Sequence, residues 1–201
     1  MSPYSRRKQG THMTRRRILC SVALWLIVGT ALYACDGGSK DMQLTTNATV
    51  DLKRYQGAWC VIANVPYFAE KGKVATRDIY KLDGDGNVTT TFAYRKSFDG
   101  PEKTFGSVGI VQPNTNNAFW RVRFLGLFHA DYLVLDIAPD YSWVLVGQRD
   151  RKLGWILARE PAMNDATYAT LIDKFRAVGY DTTKFMRVPQ FKEQVGKPGF
   201  Q

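Results

Sequence analysis

The sequence predicts an all-β chain with one C-terminal α-helix, and three observations carry that reading. Eight short runs rich in β-branched and aromatic residues follow one another between residues 57 and 159. Turn-forming clusters such as Asp99-Gly100-Pro101 and Pro113-Asn114 separate them. One amphipathic stripe comes after the last run. Eight strands at near-regular spacing with short hairpin links point to a closed antiparallel barrel or a sandwich.

The elements follow in order. Gly57–Val65 is apolar and stops at Pro66, and Val74–Leu82 alternates loosely. Asp83-Gly84-Asp85-Gly86-Asn87 is a turn ahead of the Thr-rich run Val88–Tyr94. Lys103–Val111 is the fourth strand. Ala118–Phe124 alternates well, with Trp120, Val122 and Phe124 on one face and Phe119, Arg121 and Arg123 on the other. Asp131–Ile137, Tyr141–Gln148 and Leu153–Arg159 complete eight. Tyr168, Leu171, Ile172, Phe175 and Val178 then fall at helical spacing. Asn164 or Asp165 suits the cap and Gly179 the end. The stripe needs a cover, and the outer wall of the sheet supplies one. Lys184–Val188 offers a ninth short strand, and 191–201 reads as a loose tail.

Composition bounds the function. The chain has 201 residues, 45% hydrophobic and 13% aromatic, enough for one globular domain with appendages. Its net charge of +10 overstates the basicity of the domain. Residues 1–34 contain six basic residues and no acid; without them 22 basic and 18 acidic residues remain, a net of +4. That balance argues against a nucleic-acid partner, and Arg121 and Arg123 read as a solvated strand face. Beyond residue 34 there is one histidine, His129, placed between the fifth and sixth strands. An imidazole metal site or a Ser-His-Asp triad is therefore poorly supported. Asp83-x-Asp85-x-Asn87 starts like a calcium loop, but Val88 and Tyr94 stand where that loop needs Gly and Glu. No metal and no cofactor is implied.

Residues 1–34 read as a targeting segment, with Met13 as an alternative start. Arg15–Arg17 precede Ile18–Ala34, a run without charge. The ending Leu32-Tyr33-Ala34-Cys35 resembles a bacterial lipobox, with Tyr33 bulkier than usual. Cys35 would be lipidated, and residues 35–49 form a polar, flexible tether. A plain transmembrane anchor is the alternative. Cys20 lies inside the run, so Cys60 is left as one unpaired thiol, read as a small strand residue beside Trp59.

Gly57-x-Trp59 at the first strand, Pro139-Asp140-Tyr141 ahead of the last two, and Arg159 at the end of the last together resemble the lipocalin signature. Val50-Asp51-Leu52-Lys53-Arg54-Tyr55, Asp131-Tyr132, Trp143–Gly147, Trp155–Arg159, Gly179-Tyr180-Asp181 and Arg187–Gln190 are similar to the bacterial lipocalins, a lipoprotein branch related to apolipoprotein D and plant temperature-induced lipocalins. The resemblance spans residues 50–190. It implies an eight-stranded antiparallel up-and-down barrel with one C-terminal α-helix packed outside. Gly57, Trp59, Asp140, Tyr141 and Arg159 would hold the fold: Trp59 plugs the closed end and Arg159 lies over its indole. Departures are Cys60, a short link from Pro66 to Val74 at the barrel mouth, and Asp136 in an apolar strand.

The implied function is storage or transport of fatty acids or lysophospholipids in the bacterial envelope, by a binding protein and not an enzyme. A barrel packed shut as a structural or interaction module, and a lipocalin-fold enzyme, are the alternatives. Trp120, Phe124, Tyr132, Val134, Trp143, Leu145 and Trp155 are candidate ligand-lining residues; strand parity alone leaves open which point inward. The partners expected are the lipid cargo and the membrane through the N-terminal anchor, and a homodimer is admitted. The outer membrane is the family's destination, whereas Asp36 beside Cys35 is a residue that retains lipoproteins at the inner membrane of enteric bacteria. If Cys35 is the acylated residue, radiolabelled palmitate enters the wild-type protein and not Cys35→Ser; no label in the wild type removes the lipoprotein reading.

Overall fold

The computed structural model describes residues 43–124 and 128–201. The signal run, Cys35 and Asp36 lie outside the described residues. Eight strands run in series: β1 (Gly57–Asn64), β2 (Val74–Leu82), β3 (Val88–Arg95), β4 (Lys103–Val111), β5 (Phe119–Phe124), β6 (Phe128–Ile137), β7 (Trp143–Gly147) and β8 (Gly154–Ala158). Each pairs antiparallel with the next, and β1 pairs with both β8 and β2, which closes the barrel. Closure removes the free sheet edges that invite aggregation. His129, expected in a linker, lies within β6 opposite Arg123.

Two apolar clusters divide the strand residues by parity. The inner cluster includes Trp59, Val61, Tyr80, Trp120, Val134 and Leu157. The outer cluster includes Ile62, Leu133, Leu145 and Ile156 with Leu171 and Phe175 of α2 (Asp165–Ala177). Asn164 caps that helix by accepting from the Thr167 amide at 2.8 Å, which meets one of the unpaired donors of the first turn. Asp136, unexpected in an apolar strand, follows a register shift after Val134 and reaches Lys174 of the helix at 2.8 Å. The bulge turns it out of the wall.

The chain on both flanks is pinned, contrary to the loose ends expected. Leu44 donates its amide to Arg149 O, Thr46 Oγ1 donates to Val134 O at 2.6 Å, and Val50 is 1% exposed. The end of the tether is thus part of the barrel's wrapping. At the other terminus β1 and β2 pair only from Gly57 to Cys60 and then part. The C-terminal segment fills the opening. Within it β9 (Met186–Arg187) pairs with Asn64 and Ala63. The Gln190 amide donates to Val61 O at 2.8 Å and to Thr76 O at 3.1 Å, so it bridges the two parted strands. Beyond it, Gln201 donates to Arg187 O and Arg187 to Gly199 O. Backbone groups that would otherwise lose partners are satisfied, which holds residues 191–201 in place.

The floor is built at the opposite end of β1. A short helix α1 (Leu52–Tyr55), capped by Asp51, brings Tyr55 under the barrel. Trp59 is fully buried, and its indole N–H donates to Tyr55 O at 2.8 Å. The Arg159 guanidinium lies 3.8 Å from the centroid of the Trp59 ring. It donates to Ala58 O at 2.9 Å and to Arg54 O at 2.7 Å. Gly57 has φ +96, and a Cβ there would stand 3.4 Å from Arg159 Nη1, so glycine allows both the left-handed backbone and the close guanidinium. Tyr141 accepts from the Asp51 amide at 2.8 Å, Arg54 covers its ring, and Asp140 caps its own turn through Ser142. Replacing Arg159 by alanine removes a cation–π contact and a packed stem and should cost about 1–3 kcal/mol. Lipid affinity should hold at temperatures where the variant is folded. An unchanged melting temperature with lipid binding lost would make Arg159 a ligand residue.

Candidate functional site

Above the floor, strand alternation aims one set of side chains at the lumen. Tyr55 makes ring contacts with Trp59, Tyr80 and Trp120, at centroid distances of 5.2, 5.1 and 5.3 Å. Tyr132 stacks on Trp120 at 4.6 Å with an interplanar angle of 6°. Tyr55, Tyr80 and Trp120 are each no more than 2% exposed, so this layer is solid. Tyr132, Phe92, Tyr94 and Trp155 above it keep accessible surface. The lumen begins there.

The seven residues expected to line it separate accordingly. Tyr132 and Trp155 face the lumen. Trp120 and Val134 point inward but are fully buried in the floor. Phe124 stands near the mouth and stacks with Phe128 at 5.8 Å. Trp143 and Leu145 point the other way, into the outer cluster under α2, and do not line the lumen. On β7 the inward positions are Val144 and Val146.

The lumen also holds polar groups that the sequence did not signal. Asp78 lies opposite Trp59 on β1 and Phe92 on β3, on the inner face. It keeps some accessible surface. Tyr80 donates to Asp78 Oδ2 at 3.2 Å, and the Tyr80 and Tyr55 hydroxyls each lie 2.7 Å from that of Tyr132. Glu70 sits in the link 65–73 over the mouth and is 8% exposed. It accepts from Trp155 Nε1 at 3.0 Å, from Tyr67 at 3.2 Å and from Asn64. Gln201 in turn donates to Asn64 Oδ1 at 3.2 Å. Glu70 in an irregular link gives no pattern to read, and Asp78 hides in a strand whose Arg77, Asp78, Ile79 and Tyr80 alternate only loosely.

Burial pushes the Asp78 carboxyl up to about 7, nearby Glu70 adds to the effect, and the Tyr80 bond opposes it. Burial also raises Glu70 against its three donors. Burial raises the hydroxyls of Tyr55, Tyr80 and Tyr132 as well, so they stay protonated as donors. Cys60 is half-buried and its thiol is raised by burial, which disfavours a reactive thiolate. Among the described residues no group of histidine, cysteine and acidic side chains is placed to hold a metal ion. Asp83 uses its carboxylate inside its own hairpin, accepting from the Asp85 and Asn87 amides.

Residues 50–190 match the family model for a lipocalin-like domain. The chain belongs to the lipocalin family. It is 34% identical over 161 residues to temperature-induced lipocalin-1 of Arabidopsis thaliana, covering 75% of this chain and 84% of the relative. It is 27% identical over 174 residues to the outer membrane lipoprotein Blc of Escherichia coli, covering 86% and 95%. It therefore stands in the branch of the bacterial lipoproteins and the plant temperature-induced proteins. The fold is that of lobster apocrustacyanin A1, with a TM-score of 0.56, 17% identity, and coverage of 77% of this chain and 93% of that one. Lipocalins are in general binders of small hydrophobic ligands rather than enzymes.

A buried acid with a raised pKa holds its proton better folded than unfolded. Asp78 therefore costs stability as pH rises from the ordinary carboxylate range to about 7, and the cost is constant above that. The cost is at most about 4 kcal/mol for a shift of this size and less where water in the lumen screens the charge. Urea unfolding should show Asp78→Asn gaining on the wild type by on the order of 1–3 kcal/mol more near pH 8 than near pH 5. An equal gain at both would show an ordinary carboxyl.

Proposed function

We propose that this lipocalin stores or transports single-chain lipids, fatty acids or lysophospholipids in kind, from an anchor at Cys35 in the bacterial envelope. The observation that carries it is the change of character along the barrel: a solid aromatic floor, then rings and aliphatic side chains that keep accessible surface up to the mouth. A flexible chain can follow such an irregular lumen where a compact ligand would not. Burying about twelve methylenes yields roughly 10 kcal/mol gross. Association costs of at least about 4 kcal/mol leave binding in the micromolar range. That suits a carrier that must release its cargo.

The anchor is supported by Leu32-Tyr33-Ala34-Cys35 and by the similarity to the outer membrane lipoprotein Blc of Escherichia coli. A diacylglyceryl cysteine with an added acyl chain would hold the domain firmly, since one chain alone binds only reversibly. We favour the outer membrane as its destination.

Lysophospholipids of increasing chain length, titrated into the purified protein, should quench tryptophan fluorescence with Trp155 as the principal reporter. Affinity should rise with chain length to a limit set by lumen depth. Flat titrations at every length, with no lipid in an organic extract of the protein, would replace this reading with the barrel packed shut.

A further inference from the structure

The lumen has one polar contact point at its base. Asp78 makes a single side-chain hydrogen bond among the described residues, the one from Tyr80 at 3.2 Å. Its other oxygen has no hydrogen-bond partner among the described residues. Two residues up the strand, Thr76 lies within a register shift of β2 against β3 between Val74 and Arg77. It is 2% exposed, and its Oγ1 has no partner among the described residues. A buried hydroxyl left unmatched is destabilising. Asp78 opposite Trp59, with one hydrogen bond, is thus the under-matched polar group just above a solid floor.

The charged groups around them do not supply the match. Glu70, from the link over the mouth, is already held by Asn64, Tyr67 and Trp155. Lys73 at the end of that link donates to Ala69 O and covers the Tyr94 ring at 4.4 Å. Arg159 lies under the floor, committed to main-chain carbonyls. The Tyr55 and Tyr80 hydroxyls each pair with that of Tyr132. Among the described residues no ion pair reaches Asp78, and Tyr80 is its hydrogen-bond donor.

Three ways of filling the lumen differ in cost. A chain entering methyl first lays its end on a carboxyl and strips that group of solvent. A carboxylate entering first sets like charges together. An end that donates hydrogen bonds meets an acceptor waiting for it. We propose that the lumen takes a single-chain amphiphile polar end first, with a hydrogen-bond-donating cationic or neutral end group seated on Asp78. The chain then runs up past Trp155 and Phe92 to the mouth. This rests on the lipid-binding reading and narrows it, placing amines and alcohols ahead of free carboxylates.

The test uses three ligands of equal chain length, 1-decylamine, 1-decanol and decanoate, below their micelle concentrations. Each displaces the neutral fluorophore N-phenyl-1-naphthylamine from the full-length protein. Near pH 8, decylamine should bind about tenfold tighter than decanoate, a difference of one opposite-charge contact against one like-charge contact. Near pH 5.5, where Asp78 is protonated, the ratio should fall at least about fivefold. Asp78→Asn should bring the ratio near pH 8 down to that lower value. Should the variant not fold, the wild-type pH profile decides alone. Decanoate binding as tightly as decylamine near pH 8, or a ratio indifferent to pH, overturns the polar-end-first arrangement and leaves lipid binding standing. No binding by any of the three overturns both.

Discussion

The seating of Arg159 on Trp59 is the contact on which the rest of the molecule depends. One guanidinium, delivered by the end of β8, covers the indole of β1 and caps carbonyls of the α1–β1 junction. First and last strands are thereby tied at the closed end. Tyr55 is held where its ring can support Tyr80 and Trp120. The hydroxyls standing on that layer then lead to Asp78. The chemistry at the base of the lumen is thus a consequence of how the floor is built. Gly57 is part of the same constraint, since a side chain there would meet Arg159 Nη1.

Closure of the wall uses two devices at two heights. Near the floor β1 and β2 pair directly. Toward the mouth they part, and the segment after α2 supplies the missing partners through Met186–Arg187 and Gln190. A strand pair that diverges leaves donors and acceptors that must be met elsewhere. The C-terminal residues also reach the link over the mouth, where Gln201 accepts from the Gly72 amide at 3.2 Å and donates to Asn64. Asn64 in turn bonds the buried Glu70. Mouth, seam and tail form one hydrogen-bonded unit.

Much of this was legible along the chain. The eight strands, the helix with its Asn164 cap, and the members of the floor all follow from local periodicity and from motif order, because a strand pairs with its neighbour and a helix buries one stripe. The lumen was legible only in part. Trp143 and Leu145 read as lining because they are apolar and lie on barrel strands, yet β7 packs them under α2. Both faces of that strand are covered, one by the interior and one by the helix, so hydrophobicity carries no sign of direction. Trp155 and Tyr132 met the same ambiguity and fell on the inner side.

What the sequence determined by itself is the class of molecule: a strand-rich domain whose G-x-W and Arg159 at the end of the last strand close a barrel. What only the tertiary structure decided is which polar groups the lumen contains. Glu70 and Asp78 are ordinary acids in the sequence, one in a link and one in a loosely alternating strand. Their raised pKa values arise first from burial, which outweighs the donors around them and, for Glu70, the nearby Lys73. Burial of that kind depends on groups from β1, β2, β6 and β8 meeting in space, and no local pattern records such a meeting.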